Sequence, residues 1–412
     1  MSERPSKRHP DVIHFPVRND CLVVGGVPLP RLAERMGETP FYAYDRQLIS
    51  HRIASLREQM PHELHLHYAM KANPMPAIVQ HMRDLVDGID VASAGEMRVA
   101  LDAGVPPDGI SFAGPGKRAS ELRSAIAAGI TINIESRNEL VTAERLGSAL
   151  GIRPRLAVRV NPDFELKTSG MKMSGGPKQF GIDAEQVPGV LQELSDLDVD
   201  FQGFHIFSGS QNLRPEALIE AQNNTVELAI RLAENAPRPI RLLNIGGGFG
   251  IPYFPGEKRL DIAPIAENLS GLIEKVADAL PGTAVAMELG RYLVGEAGVY
   301  VCRVLDRKIS RGQIFLITDG GLHHHLAASG NFGQVIRKNY PVVVGNRVEG
   351  DEREIASVVG PLCTPLDLLA DRMELARADV GDLIAVLQSG AYGRTASPVS
   401  FLSHPPPGEI LV

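Results

Sequence analysis

Lys71 closes the stretch HLHYAMKAN (residues 65–73), in which polar and apolar residues alternate as in a strand before a turn at Ala72-Asn73-Pro74. Lysine is seldom buried without a partner, so this position is either a solvated strand end or an amine in use. An amine in a partly desolvated pocket loses its proton more easily and becomes a nucleophile able to form a Schiff base with an aldehyde. In NIGGGFGIPY (244–253), Gly246, Gly247 and Gly248 let backbone N–H groups approach an anion closely. A tight turn is the plainer alternative. The dinucleotide fingerprint is not met, because no acidic residue ends a strand about twenty positions later.

MELGR (287–291) sets Glu288 and Arg291 at another strand end. A buried carboxylate needs a cationic or donor partner, and either Arg291 or the protonated nitrogen of a pyridine ring would serve. GFHIFSGSQ (203–211) offers the flat face of His205 and the hydroxyl of Ser208, with a core histidine as the alternative. Taken together, these parts fit an aldehyde, a phosphate, an aromatic ring and a pyridine nitrogen. One cofactor carries all four: pyridoxal 5'-phosphate.

The elements that must position these groups recur from residue 64 onward. Strand-like segments stand at 65–71, 88–93, 109–115, 130–136, 155–161, 201–207, 241–248 and 284–290, with amphipathic stretches such as PAIVQHMRDL, GEMRVALDAG and ASELRSAIAAG between them. Strands alternating with helices give βα units and a parallel sheet. Eight units in about 250 residues match a TIM barrel better than a doubly wound open sheet. The polar residues cluster at the strand ends: Lys71, Asp90, Ser93, Asn161, His205, Gly246 to Gly248, Glu288 and Arg291. In a TIM barrel those ends build the active-site face.

Beyond residue 295 the helical period gives way to β-rich segments such as GVYVCRVLDRKI and GDLIAVLQSGAYG. The expected organisation is an α/β (β/α)8 barrel over 40–295 and an all-β second domain formed by 1–39 and 296–412. The stretch KTSGMKMSGGPKQFGI (167–182) reads as a mobile loop serving as a lid.

A chain of 412 residues with net charge −7 is too long for one ordinary core, and its charge argues against a nucleic-acid surface. Cys21, Cys302 and Cys363 are too few and too far apart for a disulfide framework or a four-thiolate zinc site. The polar opening MSERPSKRHP lacks an apolar run behind it, and no segment approaches the ~20 apolar residues of a membrane span. A cytoplasmic protein without membrane or nucleic-acid partners is expected.

The stretches YAMKAN, DVASAGEM, FHIFSGSQ, NIGGGFGI, ELGR, GPLCTPLD and GAYG follow one another in a familiar order through nearly the whole chain. In them the chain resembles the fold-type III decarboxylases of the diaminopimelate/ornithine decarboxylase family. That resemblance implies an alanine racemase-like barrel carrying pyridoxal phosphate, a C-terminal β domain, and a head-to-tail homodimer with shared active sites. It makes Lys71 the Schiff-base lysine, stacks His205 on the pyridine ring and pairs Glu288 with the ring nitrogen. Asp90 joins the cofactor-binding set. Ser208, Gly246, Gly247, Gly248, Arg291 and Tyr392 surround the phosphate or the adjoining substrate carboxylate. Cys363 is the catalytic cysteine, supplied by the other subunit for the proton step after CO2 loss. A buried structural cysteine is the alternative. An acidic partner keeps the pyridine nitrogen protonated and favours decarboxylation. The racemases that share the barrel place an arginine there, so racemase chemistry is disfavoured. A non-catalytic relative is disfavoured by the presence of Lys71, His205, Glu288 and Cys363 together.

The chain departs from the family pattern at Cys363-Thr364-Pro365-Leu366-Asp367. Relatives carry an acid directly after the cysteine, against the distal amine of the substrate. Thr364 cannot supply that charge, and losing such a bond costs about 1.5–3 kcal/mol. Free diaminopimelate, lysine and ornithine thereby lose their expected partner. In TDGGLHHHLAASGNFGQVIRKNYPV (318–342), Arg337 and Tyr340 remain as substrate-carboxylate contacts. His323, His324 and His325 are not expected to bind metal, because neighbours in a strand point to opposite faces. GPLCTPLD and SGNFGQVIRKNYPV look closest to the branch acting on carrier-linked amino acids, exemplified by the butirosin-pathway decarboxylase of a glutamyl group on an acyl carrier protein. The alternative substrate is free diaminopimelate, in lysine biosynthesis.

Overall fold

The computed structural model describes residues 14–164, 171–172, 175–334 and 337–412, which form two compact units. One comprises Ile53–Ile251 and Leu260–Tyr292; the other comprises the chain up to Arg52, Pro252–Arg259 and Leu293–Val412.

The first unit is a closed parallel barrel of eight strands: β1 Leu64–Ala69, β2 Gly88–Val91, β3 Ile110–Phe112, β4 Thr131–Ile134, β5 Arg155–Asn161, β6 Asp200–Ile206, β7 Leu242–Gly247 and β8 Ala284–Leu289. Every neighbouring pair is parallel, and β8 pairs with β1 to close the ring. Helices alternate with these strands, from Pro76–Met82 after β1 to Ala263–Ala279 before β8. Their ends are set locally. Ser93 and Ser136 accept the backbone N–H groups of Glu96 and Glu139, and Gly129 and Gly151 end their helices in the left-handed conformation.

The register assigns the two faces of the sheet. One set of partners runs Leu66–Met287, Tyr68–Ile89, Val91–Phe112, Ile132–Leu156 and Leu243–Val285. This face is apolar and turns outward to the helices. The alternate set runs through His65–Ala286–Asn244–His205–Arg159, through Gly88–His67–Glu288, and through Ala69–Asp90–Ser111–Thr131–Arg155. This face fills the lumen. A TIM barrel usually packs its lumen with branched aliphatic side chains; here none of these positions carries one, and Leu242, which joins the same face through Gly203 and Ala284, is the aliphatic exception among the described residues. A bulge at Gln202 shifts the register between Phe201 and Gly203, so that Gly203 and His205 both face inward.

The second unit holds a mixed sheet ordered Val342–Val344, Leu383–Val386, Gly298–Ser310, Gln313–Thr318, Arg353–Val359 and Leu368–Ala376, with Phe41–Tyr44 and Gly408–Leu411 joined to it. Its core packs Leu29, Leu32, Phe41, Val299, Val301, Ala385 and Leu387 together. The helix Leu29–Met36 contributes two of these, so the unit is β-rich with one helical element on its sheet.

The stretch 167–182, read above as a lid, lies partly outside the described residues. In its described parts, Met171–Lys172 pairs with Gly209–Ser210, and Ile182–Asp183 adds to the edge of β5. The opening ten residues also lie outside the description.

Candidate active site

The C-terminal ends of the barrel strands gather the titratable groups. Lys71 follows β1 in a single 3-10 turn, Met70–Ala72. That turn is pinned from both sides: the Tyr68 hydroxyl donates to the Asn73 carbonyl at 2.8 Å, and Asn73 Oδ1 accepts from Met75 N at 3.1 Å. Lys71 itself is exposed, its amine 5.5 Å from the centroid of the Phe207 ring. The expected desolvation is therefore absent in the single chain, because the turn carries the residue out of the strand and onto the barrel mouth.

Glu288, near the end of β8, is buried, and its Oε2 lies 3.3 Å from His205 Nε2 and 3.4 Å from Asn244 Nδ2. Burial alone would raise its pKa, but His205, Lys71 and Arg159 outweigh that and hold the carboxyl well below the ordinary carboxylate range. The His205 approach is off the hydrogen-bond direction, and both ring nitrogens of His205 are buried without a hydrogen-bond partner among the described residues. Asn244 also accepts from Gly246 N at 2.9 Å, tying the acid to the glycine turn.

That turn has steric reasons to be glycine. A Cβ on Gly247 would sit 2.0 Å from the Glu288 carbonyl, and one on Gly248, whose φ is +87°, would sit 2.4 Å from the Gly209 carbonyl. Close packing and bare backbone at a strand end go together here, and such backbone suits a phosphate. Ser208 is buried just beyond β6, and Arg291 opens the short helix Arg291–Val294.

Around Asp90, which the sequence reading placed at the site, several groups that it did not single out hold this arrangement. Asp90 Oδ1 accepts the Ser111 hydroxyl and faces His67 Nδ1 at 3.4 Å, while Asn133 Nδ2 donates to Ser111 at 3.2 Å. Asp90 Oδ2 is buried without a partner. Arg159 is gripped by Glu135 at 2.9 Å; Glu135 also accepts from Gly114 N at 2.6 Å and Gly181 N at 3.0 Å. Burial pushes the Glu135 pKa up, yet Arg159 and Lys117 more than offset it. Lys117, buried beside it, bonds Glu139 at 3.0 Å, and desolvation pulls its pKa down. The signal for His67, Ser111, Asn133 and Arg159 was the polar parity of the strands, which marks one face without saying whether it lines the lumen; Lys117, Glu135 and Glu139 lie outside the strands.

The second unit carries the remaining expected residues. Cys363 is exposed on the loop from Gly360 to Asp367. The buried Asp367 carboxylate fastens that loop, accepting from Leu322 N at 2.6 Å and Leu362 N at 2.8 Å. Thr364 lies on the same loop, its hydroxyl accepting from Leu366 N at 3.3 Å. Arg337 donates to the Leu368 carbonyl at 2.7 Å, while its Nε and Nη1 are buried without partners among the described residues. Tyr340 is buried in an aromatic cluster, 4.7 Å from Tyr253 and 5.6 Å from His325 between ring centroids. Tyr392 is half-buried with φ +52°.

His323, His324 and His325 lie in turns, not in a strand as expected, because Gly320 and Gly321 follow the end of the strand Gln313–Thr318. The argument from opposite strand faces therefore does not apply to them. All three are buried, the His323 and His324 rings 3.7 Å apart. Among the described residues no three His, Cys, Asp or Glu side chains converge as metal ligands.

An accessible lysine, a buried carboxylate held ionised, a partnerless imidazole and a glycine turn at one barrel end fit pyridoxal phosphate. Residues 46–295 match the family described as pyridoxal-dependent decarboxylase, pyridoxal binding domain. The chain belongs to this family. It is a fold-type III amino-acid decarboxylase dependent on pyridoxal phosphate. It is 40% identical to the L-glutamyl-[BtrI acyl-carrier protein] decarboxylase of Niallia circulans, over 91% of this chain and 89% of that protein. It is 33% identical to the diaminopimelate decarboxylase of Aquifex aeolicus, over 96% of this chain and 91% of that protein. Among solved structures, diaminopimelate decarboxylase of M. jannaschii in complex with L-lysine superposes with a TM-score of 0.87 at 26% identity, covering 97% of this chain and 92% of that one. No helix among the described residues is long and apolar enough to cross a membrane.

Proposed function

We propose that this decarboxylase acts on an aminoacyl group tethered to an acyl carrier protein, rather than on a free diamino acid. The observation that carries the proposal is Thr364 directly after Cys363, where a distal ammonium would need a carboxylate. The similarity to the L-glutamyl-[BtrI acyl-carrier protein] decarboxylase supports it. The buried Nε and Nη1 of Arg337, which have no partner among the described residues, are suited to a carboxylate of the substrate.

Pyridoxal phosphate, when bound, supplies an electron sink for the pair released as the bond from Cα to the carboxylate breaks. In this reading Lys71 would hold the cofactor through its amine. Glu288 would keep a positive charge on the pyridine nitrogen, His205 would present its ring face, and Ser208, Gly246, Gly247, Gly248, Arg291 and Tyr392 would grip the phosphate and nearby carboxylate. The net reaction releases CO2 and takes up one proton at Cα, which Cys363 or Lys71 delivers. A homodimer with shared active sites would bring Cys363 in from a second copy. The cytoplasm, a reducing compartment suited to three unpaired thiols, is the expected location.

The test compares CO2 release from a glutamyl-loaded carrier protein with release from free diaminopimelate. Faster turnover of the carrier-bound substrate is expected. Faster turnover of diaminopimelate overturns the substrate and returns the chain to lysine biosynthesis.

A further inference from the structure

At the N-terminal ends of the strands, opposite the site, the lumen opens into a cavity of about 540 Å³ whose walls include Gly88, Gly109 and Ala284. These small residues leave room that branched side chains would fill in an ordinary barrel. His67 lies on this wall and is itself buried. Its Nδ1 lies 3.4 Å from Asp90 Oδ1. Gly88, its register partner, lies against the imidazole, where a Cβ would come within 2.6 Å of Nε2. The ring therefore bridges the cavity and a lumen carboxylate whose Oδ2 is buried without a partner among the described residues.

We propose that His67 is a positioning residue for Asp90, holding that carboxylate in its orientation, and that the N-terminal cavity is the opening through which His67 exchanges protons with solvent. This inference rests on the reading of Asp90 as a residue of the site. The charges around His67 favour it. Burial alone would pull the imidazole pKa down, but Asp90, Glu288 and Asp87 reverse that and leave it raised. Across the cavity stand His65, Arg83, Arg155 and Arg241, with Asp108 on the same wall. Arg83 and Arg241 are neutralised by Asp84 and Asp200, and Arg57 by Asp87. Arg155 reaches Gln202 at 3.5 Å. Glu288 also answers to His205, Lys71 and Arg159, and Asp87 to Arg57, so Asp90 is the acid left facing the ring.

Two measurements on the cofactor-loaded enzyme test the proposal. The first is an NMR titration of the His67 imidazole. A midpoint above about 6.5, the ordinary histidine value, that falls on Asp90→Asn supports the pairing; a midpoint at or below that value overturns it. The second is the pH profile of kcat/KM for His67→Ala. His67→Ala takes the imidazolium charge away from the site, so the acid limb should move up by about one pH unit, with kcat/KM down about ten- to a hundredfold. Free imidazole entering through the vacated wall should restore the wild-type limb, a rescue that a merely structural role would not show. Gly88→Ala, which pushes on the ring without removing it, should shift the limb the same way. An unmoved limb in a His67→Ala protein that is folded by circular dichroism overturns the positioning role. If the NMR pairing holds in that case, the assignment of Asp90 to the site falls while that of Lys71 stands.

Discussion

His205 Nε2 and Glu288 Oε2 lie 3.3 Å apart in the barrel lumen, although β7 separates the strands that carry them. Asn244, on that intervening strand, touches the same carboxylate oxygen. The acid is thus held ionised by its surroundings before any cofactor arrives, and this preorganisation is what an electron sink with a protonated ring nitrogen requires.

Glu288→Gln keeps the shape and removes the charge. CO2 release should fall about a hundredfold or more, while the yellow colour of the bound cofactor persists, as followed by absorbance. The folded-state pKa of Glu288 is depressed, so its contribution to stability is complete above the unfolded carboxylate value of about 4.3 and is lost as pH falls below it. The variant should therefore show a shallower acid limb in its unfolding curve.

Lys71→Ala should lower turnover about a thousandfold or more. Borohydride treatment of the wild type should fix the cofactor onto the tryptic peptide containing Lys71, as read by mass spectrometry, and should fix nothing there in the variant. Near-normal turnover in Lys71→Ala would sink the assignment.

Cys363 is exposed, whereas Cys302 is buried and Cys21 half-buried. Iodoacetamide should label Cys363 first and inactivate the enzyme in step with that labelling. Cys363→Ala should slow turnover about ten- to a hundredfold and resist inactivation. Full activity after complete labelling would remove Cys363 from the proton step.

The His323–His325 turn makes the second unit sensitive to acid. Burial, and for His323 and His324 the neighbouring imidazoles, holds these rings neutral down to about 3, about 4 and about 3 respectively. An unfolded chain protonates them near 6.5, so it binds more protons, and stability is complete above that pH and lost as pH falls. Each ring contributes a slope of about 1.4 kcal/mol per pH unit between the two values. His323→Phe removes a ring whose nitrogens have no partner, and its denaturation free energy should fall less steeply between pH 6 and pH 4.5.

The eight strands were legible in the sequence because each is a short apolar-alternating run ended by Gly, Asn or Ser; RLAVRVN at 155–161 coincides with β5, and AVAMELG overran β8 by one residue. The clustering of polar residues at the strand ends was legible for the same reason, since they interrupt apolar runs there. The polar lumen was not. His67 and Arg159 share the strand alternation with their apolar neighbours, and only the register shows which parity points inward. The bulge at Gln202 resets that parity on β6, and no residue type announces it. The histidine triplet was misplaced in a strand because its apolar surroundings outweighed the paired glycines before it.

The outward set of barrel side chains has a consequence for how this protein breaks. A barrel filled with aliphatics could lose a helix and keep a greasy centre; this one would be left with a wet hole and a bare oily rim. Clipping away Pro215–Ala233 would strip cover from Leu243 and its neighbours, and the remnant should clump rather than persist as a trimmed cylinder.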